Sequence, residues 1–265
     1  MEYLAALAII QGITEFLPIS SSAHLALLPA MMGQDDQGLV IDIAVHFGSL
    51  GAVILYNLRL LMAMGVSLVT FGRRYRDLFP LTIISLVASI PLVVVGYLFS
   101  RYDIIELYLR HMMVIGCASI FFGILLALAD RVPGRRQLTT LTMYDAVVIG
   151  LAQPLALIPG TSRSGICITI ARMTGLNRIA SVQFAMILSI PAILGASVKS
   201  ASDIALEGSM AIMMNPILKA AGLAFVVAHI SIVLMMRLIE RIGMMPFVIY
   251  RVALGLLLIA LAFNV

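Results

Sequence analysis

Gln11-Gly12-Ile13-Thr14-Glu15-Phe16-Leu17-Pro18-Ile19-Ser20-Ser21-Ser22-Ala23-His24 sets a carboxylate, three consecutive hydroxyls and an imidazole around a proline, inside sequence that is otherwise apolar. Apolar runs at 3–18 and 23–32 flank the break, and both are short of the roughly 20 helical residues that cross a hydrocarbon core. A helix that enters a membrane, breaks at Pro18 and returns fits this pattern. Gln11 and Glu15, four residues apart, share one face of the first arm. A carboxylate in hydrocarbon requires a partner and marks function by default. The plainer alternative is a structural carboxylate that caps the broken helix or bonds the serine hydroxyls.

The rest of the chain identifies the solvent. Of 265 residues, 62% are hydrophobic and 11% charged, where soluble proteins average about 45–50% and about 25%. A single integral membrane domain spanning 1–265 follows, with no room for a large soluble one. Long apolar runs at 39–56, 78–99, 112–129, 180–199, 217–236 and 246–264 read as six crossings. The 17 Lys and Arg against 13 Asp and Glu report loop orientation. A nucleic-acid partner is not indicated, because no basic stretch is interleaved with aromatics. Cys117 and Cys167 form no metal or redox spacing and read as small buried hydrophobes.

Loop charge orients the crossings. Links 57–77 (Arg59, Arg73, Arg74, Arg76), 130–142 (Arg131, Arg135, Arg136) and 237–245 (Arg237, Arg241) are expected inside. Links 100–111 and 200–216 mix Arg101, Arg110 and Lys199 with Asp103, Glu106, Asp203 and Glu207, and are expected outside. Parity then makes residues 1–38 a hairpin entering from outside. It makes 143–178, broken at Pro159-Gly160-Thr161-Ser162-Arg163-Ser164, a hairpin entering from inside. The expected fold is an all-α polytopic membrane protein with an inverted-topology repeat, approximately 1–130 and 143–265. Each half is a re-entrant helical hairpin plus three transmembrane helices, and the polar site lies where the broken helices meet. Aligning Pro18 with Pro159 places Ser21 on Ser162 and Ser22 on Arg163.

The two turns carry complementary chemistry. Ser20, Ser21 and Ser22 supply hydroxyl and N–H donors beside His24, a group that shuttles protons near neutral pH, though such hydroxyls also serve as helix caps. Gly160, Thr161, Ser162 and Ser164 surround Arg163, whose planar fork binds two phosphate oxygens at once. A helix resuming near Gly165 adds N-terminal N–H groups to the anion site. Arg163 and Glu15 approach from opposite faces and neutralise each other until an anionic ligand arrives. Glu15 alone is a thin metal site, so a divalent cation there needs ligands from the substrate. His46, one turn after Asp42, reads as a packed hydrogen-bonded pair, His111 and His229 as structural, and Arg251 as paired inside the bundle. The Met-rich stretches, Met31-Met32 and Met213-Met214 among them, read as packing or lipid contact.

These motifs resemble the bacterial undecaprenyl-diphosphate phosphatase family, also called the bacitracin-resistance proteins, over essentially the whole chain. The first motif is carried by Gln11, Glu15, Phe16-Leu17-Pro18, Ser20-Ser21 and His24, and the second by Pro159, Gly160, Ser162, Arg163 and Ser164. The Asp42–Ser49 stretch also looks like the family's. The resemblance implies a hydrolase in the bacterial inner membrane, multi-pass, with its site facing the periplasm. It would remove the terminal phosphate of undecaprenyl diphosphate with Mg²⁺ or Ca²⁺, recycling the lipid carrier for peptidoglycan synthesis. It points to Glu15, Ser21, His24 and Arg163 as the core set, supported by Gln11, Ser20, Ser162 and Ser164. The sequence leaves the oligomeric state open, a homodimer included. Two departures stand out: Gln11 leaves Glu15 as the only carboxylate of the first motif, and Cys167 replaces a frequent Thr.

The expected reaction has Ser21, or a water it positions, attacking phosphorus while Glu15 or His24 takes the proton. A transporter or flippase of lipid phosphates is the rival reading, since an inverted repeat with an anion site suits a carrier.

Overall fold

The structure, a computed structural model, describes residues 2–33, 39–102, 109, 111–207 and 214–263. Eleven α-helices account for most of them: α1 Glu2–Thr14, α2 Ser21–Met32, α3 Leu39–Tyr56, α4 Leu58–Val69, α5 Phe79–Arg101, α6 Met112–Asp130, α7 Met143–Ala152, α8 Arg163–Met173, α9 Arg178–Glu207, α10 Met214–Ile242 and α11 Met245–Ala262. Short 3₁₀ turns follow α4, precede α7 and extend α7 through Gln153–Leu157. The apolar runs set these lengths: α5, α6, α9, α10 and α11 are each long and apolar enough to cross a membrane. Pro91 and Pro191 lie inside α5 and α9 without ending them.

The 57–77 link is not the simple loop expected of it. Tyr56 ends α3, and after Asn57 the chain turns by 79° into α4, so α3 and α4 together form a sixth span only if the bent pair is taken as one. Arg-rich composition concealed the helix. The 200–216 link is also shorter than expected, because α9 continues to Glu207. Residues 208–213, together with Asp103, Glu106 and Arg110 of the 100–111 link, lie outside the described residues.

Three pairings organise the bundle: α10 along α3, α11 along α6, and α1 on α10. Small residues permit the closest of these contacts. A Cβ on Gly116 would stand 2.8 Å from the Gly255 carbonyl oxygen, and one on Gly255 would stand 2.7 Å from that of Gly116, so α6 and α11 touch backbone to backbone. Helices α8 and α9 pack together, α8 also meets α6, and α7 lies on α5. A core including Phe16, Leu50, Leu126, Ile166, Phe184 and Ile232 joins both polar turns to these helices. The outer faces of α5, α6 and α11 expose Ile90, Val94, Phe121 and Leu256, as lipid-facing surfaces do. Cys167 is buried as expected, whereas Cys117 is exposed on α6.

Several loop arginines are structural clamps. Arg178 forms a two-bond fork on Asp130 (2.8 Å each), and Arg172 approaches the same carboxylate at 3.5 Å. Arg136 holds Asp145 through contacts of 2.9 and 2.6 Å, while Asp145 closes a capping box with Thr142 at the start of α7. These pairs tie the end of α6 to α8 and the start of α9, and hold the start of α7 to the loop before it.

Candidate functional site

Two serines set the geometry. Ser20 immediately precedes α2 with φ 70°, and Ser162 immediately precedes α8 with φ 68°, a region that costs a non-glycine residue about 1–2 kcal/mol. Each hydroxyl lies 3.1 Å from the hydroxyl two residues on, Ser22 or Ser164. The turns therefore correspond as Ser20 with Ser162, Ser21 with Arg163 and Ser22 with Ser164, one residue away from the register that aligned Pro18 with Pro159. The corrected register also sets Gln11 on Gln153.

Glu15 is where the turns meet. It follows the last residue of α1 and is 8% exposed, at a helix end whose dipole disfavours a carboxylate. Arg163 Nη2 donates to Oε1 at 2.7 Å from the other turn. Gln11 Nε2 donates to Oε2 at 2.9 Å, the helix-face pairing expected of residues four apart. Ser21 Oγ donates to the same Oε2 at 2.8 Å. The second nitrogen of the fork, Arg163 Nη1, is buried without a partner, as is Gln11 Oε1. One of the two terminal nitrogens of the fork is thus without a hydrogen bond.

His24 does not face Ser21 in this arrangement. Its Nδ1 lies 2.7 Å from the Ser20 carbonyl oxygen, which can only accept, so Nδ1 carries the proton. Nε2 then accepts from the Tyr250 hydroxyl at 2.6 Å, and the two rings stack. His46, expected to be a structural pair with Asp42, belongs to the site as well. Its Nδ1 donates to the Asp42 backbone carbonyl at 2.7 Å, and Nε2 stands 3.8 Å from Glu15 Oε2. Tyr250 and His46 were missed because each meets the site only through the tertiary fold. The available signal was a polar ring within an apolar span.

Arg251 is the partner-seeking cation that sequence reasoning left without an assignment. It is fully buried, and its guanidinium donates to the carbonyls of Pro18, Ser119, Gly160 and Thr161. One side chain therefore ties both turns together. Ser164 adds a second tie: its hydroxyl donates to the Leu17 carbonyl at 2.9 Å, which obliges Ser162 to donate to Ser164 while accepting from Gly165 N–H.

Four residues expected to bind substrate make hydrogen bonds within the protein. Gly160 and Thr161 present their carbonyls to Arg251, Thr161 is fully buried, and Ser162 and Ser164 are occupied by the hydrogen bonds that join the turns. Ser22 is exposed beside Ser20. Gly160 is required sterically, since at φ 93° a Cβ would stand 2.3 Å from the Ile115 carbonyl oxygen. Gly160→Ala should lower stability by about 2–4 kcal/mol, read as a fall in the thermal midpoint in detergent, and an unchanged midpoint would refute the steric account.

Among the described residues, no three His, Cys, Asp or Glu side chains converge as a cation cage requires. Both Glu15 oxygens already accept hydrogen bonds, and Gln11 Oε1 is the unpartnered oxygen next to them. These residues fit a cation that arrives with most of its own oxygen ligands.

The class that fold and site define is a helical membrane protein with a serine, a carboxylate and a guanidinium joined among apolar helices. Comparison with known proteins agrees. The chain matches the family described as bacitracin resistance protein BacA over residues 4–257, and it belongs to that family. It is 46% identical over 257 residues to an undecaprenyl-diphosphatase of Alcanivorax borkumensis, covering 96% of each chain. Proteins of the same name from Alteromonas mediterranea (46% over 260 residues, 97% of each chain) and Roseobacter denitrificans (43% over 266 residues, 99% of this chain and 98% of the relative) are similarly close.

Proposed function

We propose that the chain is an undecaprenyl-diphosphatase, a membrane phosphatase that converts undecaprenyl diphosphate to undecaprenyl phosphate and inorganic phosphate, returning the lipid carrier to peptidoglycan synthesis. Family membership and full-length similarity to proteins of that name support the activity. The observation that carries the chemistry is the bond from Ser21 Oγ to Glu15 Oε2, on a carboxylate fixed by Arg163.

In this reading the free Arg163 Nη1 and the first N–H groups of α2, which has no side-chain cap, hold the terminal phosphate. Ser21 Oγ attacks the terminal phosphorus, its proton passes to Glu15 Oε2, and the bond to the bridging oxygen breaks to release undecaprenyl phosphate. Water then hydrolyses the phosphoserine. The distances favour Glu15 over His24 as proton acceptor, because Nε2 of His24 is held by Tyr250. Glu15 and Gln11 Oε1 would hold a divalent cation, Mg²⁺ or Ca²⁺, which neutralises diphosphate charge when bound.

The site is proposed to face the periplasm from the inner membrane, on two re-entrant hairpins of an inverted repeat. The matched serine conformations support the repeat, as does α1 packing on α10 where α7 packs on α5. The groups of the site all come from one chain, so assembly as a homodimer would add none of them. A carrier needs the arginine but has no use for a serine bonded to a carboxylate. Purified protein in detergent should release inorganic phosphate from undecaprenyl diphosphate, slow with EDTA and recover with Mg²⁺ or Ca²⁺. Binding without release would support the carrier, and EDTA-insensitive release would remove the cation.

A further inference from the structure

We propose that the turn between α4 and α5 is a second anion site, which binds the headgroup of an anionic diacyl phospholipid at the membrane surface. Four non-glycine residues have positive φ among the described residues. Two are Ser20 and Ser162, at the reactive turns. The other two, Phe71 (49°) and Tyr75 (58°), lie together in this turn, with Gly72 at 75° between them. Backbone strain gathered in one place points to a function there.

The strain is held by a local network. Gly72 N–H donates to the Ser67 carbonyl (2.8 Å), Ser67 Oγ to the Tyr75 carbonyl (3.0 Å), and Arg74 N–H to Thr70 Oγ1 (3.2 Å). This fixed turn displays two kinds of surface. Val69 and Phe71 are 79% and 83% exposed, at the end of a helix turned 79° away from α3. If α3 crosses the bilayer, α4 therefore runs along it and carries these side chains at the level where acyl chains begin. Immediately after them Arg73, Arg74 and Arg76 are exposed, with Asp77 as the one acid of the turn.

Those arginines differ from others in the chain. Arg136, Arg163 and Arg178 are each bonded to a carboxylate, whereas Arg73, Arg74 and Arg76 pair with none among the described residues. A cavity of about 590 Å³, which Arg76 alone of the three lines, opens between Phe71, Arg76, Asp77, Phe79 and Thr139. Guanidinium groups match phosphate oxygens, and the flanking apolar side chains match the tails of the same molecule. A soluble anion would use the arginines and leave Phe71 and Val69 without a role, which favours a lipid.

The chain contains no tryptophan, so Phe71→Trp installs a single fluorescent reporter at the site. The full-length variant would be reconstituted in phosphatidylcholine vesicles containing phosphatidylglycerol, with bromine placed on the acyl chains of one lipid or the other at equal mole fraction. Brominated phosphatidylglycerol should quench Trp emission about two-fold or more beyond brominated phosphatidylcholine. Adding Arg73→Gln, Arg74→Gln and Arg76→Gln should erase the difference while quenching itself persists. Circular dichroism checks the fold, and Arg76→Gln alone replaces the triple variant if that variant misfolds. Equal quenching by both lipids, or no quenching by either, overturns the proposal. Inorganic phosphate removing the preference at matched ionic strength would assign the site to a soluble anion and overturn the lipid as well.

Discussion

Ser21→Ala protein should release inorganic phosphate from undecaprenyl diphosphate on the order of 10³-fold or more slowly than the unaltered chain, with little change in substrate affinity. The hydroxyl donates to Glu15, and removing it leaves the carboxylate still bonded to Gln11 and Arg163. The fold should therefore survive while the attacking atom is lost. Glu15→Gln should be slow for a different reason, because it keeps the shape and loses the proton acceptor. The double variant should be about as slow as Ser21→Ala alone, since the two groups act in one step. Rapid-quench analysis should capture phosphate on the unaltered protein and none on Ser21→Ala. Release by Ser21→Ala at the original rate would assign the attack to water.

Arg251→Met should lower stability by about 3–5 kcal/mol, which for a chain of this size corresponds to a fall of roughly 10 °C or more in the thermal midpoint. Methionine fills a similar volume but takes the guanidinium away from the carbonyls of Pro18 and Thr161 in the core, whereas Gly160 keeps the Ser119 hydroxyl and Ser119 keeps its helical bond. Activity should fall even where the protein remains folded, because Ser21 and Arg163 are held in register by those carbonyls. Arg251→Lys should be intermediate, as one ammonium cannot span both turns. A midpoint for Arg251→Met within about 2 °C of the original would show that the turns hold their shape unaided.

The sequence exposed the site best where chemistry is local. Gln11 and Glu15 share a helix face by spacing alone, and their hydrogen bond follows. The pairing of Glu15 with Arg163 was legible from charge: two buried ions in two polar turns of an apolar chain have few other partners. Legibility ended where backbone conformation decides. Pro18 and Pro159 look equivalent in sequence, yet the residues that take positive φ before a helix are Ser20 and Ser162, and this sets the register. Helix α4 was hidden because arginines around an amphipathic stretch resemble a loop. His46 and Tyr250 reach the site from elements distant in the chain, and spacing carries no trace of such contacts.

The contact between Glu15 and Arg163 also has a consequence for biogenesis. The two residues are separated by 148 positions, so a ribosome that has just delivered α1 and α2 to the membrane has not yet made the counter-ion of Glu15. Until Arg163 emerges, the carboxyl must stay at the aqueous interface or enter the bilayer as the neutral acid. The first half of the protein therefore waits for the second, and the final seating of α1 and α2 is an event of late synthesis.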